Sequence, residues 1–129
     1  MRTVEFRRLL DDDNALRVRF ELERGRVFKF VVQLECYFDD EWVPVVRYDT
    51  AHDFAHCDRL HPYEAAVKTR MDTQDYNEAL TFAIQGLVDN WSVYRWRFHY
   101  RTLFTTGLRN QVFGRRMWLF RTAGSLKSS

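Results

Sequence analysis

Leu16-Arg17-Val18-Arg19-Phe20-Glu21-Leu22-Glu23-Arg24-Gly25-Arg26-Val27-Phe28-Lys29-Phe30-Val31-Val32-Gln33-Leu34-Glu35-Cys36-Tyr37-Phe38 is written with a period of two. Leu16, Val18, Phe20 and Leu22 alternate with Arg17, Arg19, Glu21 and Glu23, the pattern of a strand with one apolar and one wet face. Arg24-Gly25-Arg26 supplies a tight turn. Phe28, Phe30, Val32, Leu34, Cys36 and Phe38 then continue the same even-numbered face, so the two strands form an antiparallel hairpin. Asp39-Asp40-Glu41 is a second turn, and Trp42 to Tyr48 a third strand, in which Pro44 implies an edge or a bulge. A short strand at Val4 to Leu9 precedes the meander across the acidic turn Asp11-Asp12-Asp13-Asn14.

One apolar sheet face needs a cover. After Asp72-Thr73, either of which suits a helix N-cap, Tyr76, Leu80, Ala83, Ile84, Leu87, Trp91, Tyr94 and Phe98 recur at spacings of three and four. That is an amphipathic helix. Unbroken from Thr73 to Tyr100 it is about 42 Å long, long enough for its last turns to overhang the sheet. A second apolar row, Phe82, Val93, Trp96, Tyr100 and Leu103, is left for the tail or another subunit to cover. The expected fold is therefore α+β: an antiparallel sheet of four to five strands with one long helix packed on one face. Residues 1–104 form a single domain, and 105–129 a basic C-terminal extension packed on the domain or on a partner.

The chain of 129 residues, 46% hydrophobic and 16% aromatic, suits one core, since domains run to roughly 100–150 residues. No apolar run of about 18 residues could span a bilayer, and the N-terminal residues do not form a secretory signal. Cys36 and Cys57 read as reduced thiols of a cytoplasmic protein. The net charge of +2 hides an asymmetry: residues 1–89 hold all 18 acids and 12 basic groups, net −6, while residues 90–129 hold eight basic groups and no acid. A basic block of this kind suits RNA, an acidic partner protein, or the acidic part of its own domain. Within it, Arg95, Arg97 and Arg101 interleave with Trp96, Phe98 and Tyr100, as on surfaces that bind single-stranded nucleic acid by stacking and phosphate contact.

Chemistry concentrates in Tyr48-Asp49-Thr50-Ala51-His52-Asp53-Phe54-Ala55-His56-Cys57-Asp58-Arg59-Leu60-His61-Pro62. Leaving a strand and ending at a proline, the stretch reads as a loop. Two or three of the imidazoles with Asp49 or Asp58 would suit a zinc-class ion, although the glutamate that follows the first histidine in helical zinc signatures is Asp53 here. Metal-free phosphodiester cleavage is a second reading. His52 with His56 or His61 would move the protons, Arg47, Arg59 or Lys68 would hold the phosphate, and Tyr48 would assist by hydrogen bonding. A third is a well-bonded connection in which Asp and His side chains tie the backbone down. There is no glycine-rich phosphate loop, no paired CxxC and no GxSxG, which sets nucleotide hydrolysis and serine esterase chemistry aside.

The strand end Val45-Val46-Arg47-Tyr48-Asp49-Thr50-Ala51-His52, followed by a His-rich segment through His56 and His61-Pro62 and a single helix from near Tyr76, resembles small prokaryotic α+β proteins. Among them are the TumE-like toxin components of toxin–antitoxin pairs. The resemblance covers residues 15–98. It implies an RNA-directed toxin in which Asp49, His52, His56 and His61 are the positions carried over. The expectation is a protein that binds or cleaves RNA, as a metal-independent ribonuclease with no cofactor, with a cognate antitoxin or a second copy as partner. The competing expectation is a non-enzymatic interaction module, binding a partner or forming a homodimer through Trp96, Tyr100 and the tail.

Overall fold

The computed structural model describes residues 1–50, 54–60, 67–71 and 75–103. They form six strands, β1 (Arg2–Asp11), β2 (Asn14–Glu23), β3 (Arg26–Phe38), β4 (Glu41–Asp49), β5 (His56–Arg59) and β6 (Val67–Arg70), then one helix, α1 (Tyr76–Leu103). All strand pairs are antiparallel and sequential, in the order β1-β2-β3-β4-β5-β6. The α+β class stands, with six strands instead of four to five. β5 lies where a loop was expected, and β6 in a segment to which no element was assigned. Four-residue His-Cys-Asp-Arg is too short and polar to carry a period-two signal, and pairing with β4 rather than propensity makes it a strand. The extension at 105–129 lies outside the described residues.

Turn chemistry starts the β2–β3 and β3–β4 pairings. Arg24 (φ 52) and Gly25 (φ 78), and likewise Asp39 (φ 47) and Asp40 (φ 66), occupy the left-handed region at both central positions. They close two-residue hairpins between Glu23 and Arg26 and between Phe38 and Glu41, and this turn twist matches that of the strands. Pro44 lies opposite Glu35 beside a register shift at Leu34/Glu35. It is accommodated by a bulge within an interior strand, not at an edge.

The even-numbered face is the core. Leu16, Val18, Phe30, Val32, Leu34, Cys36, Val43, Val46 and Tyr48 pack with Ala79, Leu80, Ala83, Leu87 and Phe98 of the helix. Asp75 caps α1, its Oδ1 accepting the Glu78 amide at 2.8 Å and its carbonyl the Ala79 amide at 3.0 Å; Asp72 and Thr73 lie outside the described residues. Two polar clamps fix the helix along β3. Near its start, Asn77 accepts the Val27 amide (2.8 Å) and donates to the Gly25 carbonyl (3.0 Å). Eighteen residues later, about five turns on, Arg95 donates to the Asp13 and Tyr37 carbonyls and to Asn14 Oδ1. The turns beyond Arg95 carry Phe98 and His99 stacked on Phe38.

The odd-numbered face differs from the wet surface its alternation predicts. Gln33 is 0% exposed and Glu35 7%. Glu35 takes Arg17 Nε at 3.0 Å and Gln33 Nε2 at 2.9 Å on one oxygen, with Arg7 Nε 3.6 Å from the other. Arg19 likewise joins Glu5 and Glu21. Period two tells which side a residue takes, but not how deeply long neighbouring side chains bury it.

Candidate functional site

The β4–β5 register places Arg47 opposite Asp58 and Asp49 opposite His56. Directly paired residues share a face, so these four side chains form a square on the polar side of the sheet. Arg47 lies 3.2 Å from Asp49 Oδ2 through Nε and 3.3 Å from Asp58 Oδ2 through Nη2. His56 Nε2 lies 2.8 Å from Asp49 Oδ1 and 3.7 Å from Asp58 Oδ2, and its Nδ1 is 3.3 Å from the Phe54 carbonyl. His56 is 1% exposed and Asp58 3%. Two carboxylates thus stand around one guanidinium, and both ring nitrogens of His56 face acceptors. The Phe54 ring lies 5.4 Å from the His56 ring, under Arg70 at 4.8 Å.

Along the same face the pairing extends a row across the sheet: Arg7, Arg17, Gln33, Arg47 and Asp58. A neighbouring row runs Glu5, Arg19, Val31, Asp49, His56 and Arg70. The cluster is thus the far end of a sheet-wide arginine and carboxylate lattice.

Of the residues expected to carry chemistry, the fold brings together Asp49, His56, Asp58 and Arg47. His52 and His61 lie outside the described residues, as do the side chains of Lys68 and Arg101. Tyr48 takes the opposite face. Its hydroxyl meets the helix beside Gly86, near Tyr94 and Cys57, and burial pushes the phenol well above its ordinary range. Arg59 pairs with Val46 and shares that helix-side face. Arg95 is held by the backbone as described and lies 4.3 Å over the Phe38 ring, whereas Arg97 is exposed on α1. Glu35, Gln33, Arg17 and Arg7 were not legible as one network, because the Arg24-Gly25 turn alone would set Arg17 against Val32, and only the register shift at Glu21/Leu22 brings it opposite Gln33.

The model of a domain of unknown function, DUF7718, matches residues 1–102. The chain belongs to this family. The DUF7718 match takes in every strand, the polar cluster and nearly all of α1. No curated protein and no solved structure matches the chain.

Chemically, the ligand atoms of Asp49, His56 and Asp58 lie within 4.8 Å of one another, a carboxylate and imidazole set that divalent transition metals accept. Arg47 already supplies a positive charge between both carboxylates, however, and competes with a cation for the same oxygens. Cys57 offers no thiolate nucleophile. Burial raises its thiol to about 11, against a smaller opposing effect of the Tyr48 hydrogen bond.

Proposed function

We propose that this chain is a toxin-type, RNA-directed protein acting in the cytoplasm and restrained by a cognate antitoxin, and that its chemistry is metal-independent phosphodiester cleavage on the polar face of β4 and β5. The Arg47–Asp49–His56–Asp58 square carries the reading. An imidazole oriented by a carboxylate is the form in which proteins hold a general acid or base, and guanidinium groups bind phosphate in a bidentate manner. Arg47 and Arg70 are the phosphate ligands in this scheme. His52, His56 and His61 provide the proton transfers: one imidazole takes the 2′-hydroxyl proton as that oxygen attacks phosphorus, and another protonates the departing 5′-oxygen. The products are a 2′,3′-cyclic phosphate and a free 5′-hydroxyl. In this scheme His56, buried and held by Asp49 and the Phe54 carbonyl, is the member of the set that Asp49 positions.

The test is cleavage of a single-stranded RNA oligonucleotide by purified protein with EDTA present. Cyclic-phosphate ends are expected, with His56→Ala and His52→Ala each reducing the rate by about 10²–10⁴-fold. RNA left intact by the wild-type protein, with and without divalent ions, overturns the reading. Cleavage only with an added divalent ion transfers the chemistry to a metal held by Asp49, His56 and Asp58.

A binding module is the second reading, favoured by the apolar row on the outer side of α1. Trp96 is 62% exposed and stacks on Tyr100 at 5.2 Å, in line with exposed Phe82 and Val93. A partner that covers these rings is lost on Trp96→Ala, as light scattering of the mixture would show.

A further inference from the structure

We propose that β1 is the seam of a homodimer, in which two six-stranded sheets join edge to edge into one antiparallel sheet with Phe6 on the twofold axis. This stands apart from the RNA reading.

Among the described residues β1 pairs only with β2, so its other side is a sheet edge. That edge is ten residues long, contains no proline, and has its one register shift at Leu9/Asp11, at the end. Long regular edges are templates for another strand unless guarded by proline, bulges or unfavourable charge. The helix leaves this end of the apolar face open, because α1 packs on β2, β3 and β4. Phe6, on the apolar side opposite Val18, is accordingly 39% exposed.

The sequence of β1 selects a second copy of itself. A twofold axis perpendicular to the sheet keeps like faces together, so it passes through a residue and pairs even with even positions. Centred on Glu5, the register sets Glu5 against Glu5 and Arg2 against Arg8. Centred on Arg7, it sets Arg7 against Arg7. Centred on Val4, it loses half of the strand. Only the Phe6 register combines long overlap with charge complementarity: Glu5 faces the partner's Arg7 twice, Phe6 faces Phe6, Thr3 faces Leu9 and Val4 faces Arg8. Opposite charges directly across strands stabilise pairing and like charges oppose it. The internal contacts of Arg7 with Glu35 and of Glu5 with Arg19, at 3.6 and 3.5 Å, leave room for this, since a guanidinium has five donors and a carboxylate about four acceptor sites.

The experiment is light scattering of the full chain from about 1 to 100 μM, with Phe6→Cys cross-linking under mild oxidation. A mass approaching twice that of the chain is expected at the upper end. Phe6→Cys should then form a disulfide dimer on its own, because directly opposed strand residues lie within the reach of a disulfide. Thr3→Cys alone should not, but should cross-link to Leu9→Cys in a mixture. Buried Cys36, whose thiol is raised to about 12, gives little background. Phe6→Lys, with two like charges on the axis, should be monomeric. A wild-type protein monomeric throughout overturns the proposal. So does a dimer that Phe6→Cys fails to cross-link, or one that persists in Phe6→Lys and is lost in Trp96→Ala.

Discussion

Arg95 is a basic residue whose donors are turned inward. Three donor contacts reach Asp13, Asn14 and Tyr37, and the guanidinium covers Phe38. Hydrogen bonds involving a charged group contribute about 1.5–3 kcal/mol each, with strong overlap among those made by one side chain. Arg95→Ala is therefore expected to lower stability by about 2–3 kcal/mol, and Arg95→Lys to recover only part of it, because an ammonium lacks the planar fork. Exposed Arg97→Ala should stay within about 0.5 kcal/mol; urea unfolding of the three variants checks the order. Cys57 gives the residue-scale pH dependence. Its folded thiol titrates near 11 against an ordinary 9.0, so between those values the unfolded chain has lost a proton that the folded chain keeps. The stability it contributes is present below pH 9 and falls as pH rises from about 9 to about 11. Alkylation of native protein should accelerate about tenfold per pH unit toward 11; a rate already at its plateau at pH 8 would contradict the buried thiol.

At the scale of elements, α1 carries a weakness at Gly86. A methyl group there would meet only the Tyr48 hydroxyl, at an ordinary 3.7 Å, while glycine inside a helix is less favourable than alanine by about 0.8–1 kcal/mol. Gly86→Ala should thus raise stability by about 1 kcal/mol, seen as a rise of a few degrees in thermal midpoint by circular dichroism. The hairpin of β2 and β3 was readable because each strand is long, alternates over most of its length and meets at a turn that glycine permits, although the register shift at Glu21/Leu22 leaves Phe28 exposed and sets Val27 opposite Leu22. The helix was readable from its spacing, and its length agrees because the clamps at Asn77 and Arg95 follow the course of β3. His56 to Arg59 was not readable as a strand, since nothing in four polar residues distinguishes them from a loop until β4 supplies hydrogen-bonding partners. The same gap hid the site. Asp49 and His56 were singled out by residue type, but their meeting with Asp58 and Arg47 depends on a register that only the strand pairing fixes. Asp58 and Tyr48 then fall on opposite sides for the same reason, alternation along neighbouring strands.

Over the whole molecule, burial is greatest in the middle of the sheet and least at its margins. Ala15, Leu16, Val18, Val32, Gln33 and Leu34 are fully buried, each in a strand paired on both sides. Their amides should exchange with solvent only through global unfolding, whereas those of four-residue β6 and the last turn of α1 should exchange through local opening. Hydrogen exchange read by mass spectrometry or NMR distinguishes the two classes, and uniform protection across β6 and β3 would contradict it. The sequential order of the sheet has a consequence for biosynthesis. Each strand finds its partner in the residues just made, so pairing can proceed as the chain leaves the ribosome. The cover for the apolar face, however, runs to Phe98, about 60 residues after Phe38. At roughly 5–20 residues per second, that face waits about 3–12 s for its lid. The nascent chain, still tethered and half built, is the stickiest form this protein takes, and a chaperone that shields Leu16, Val32 and Leu34 during those seconds would govern its yield.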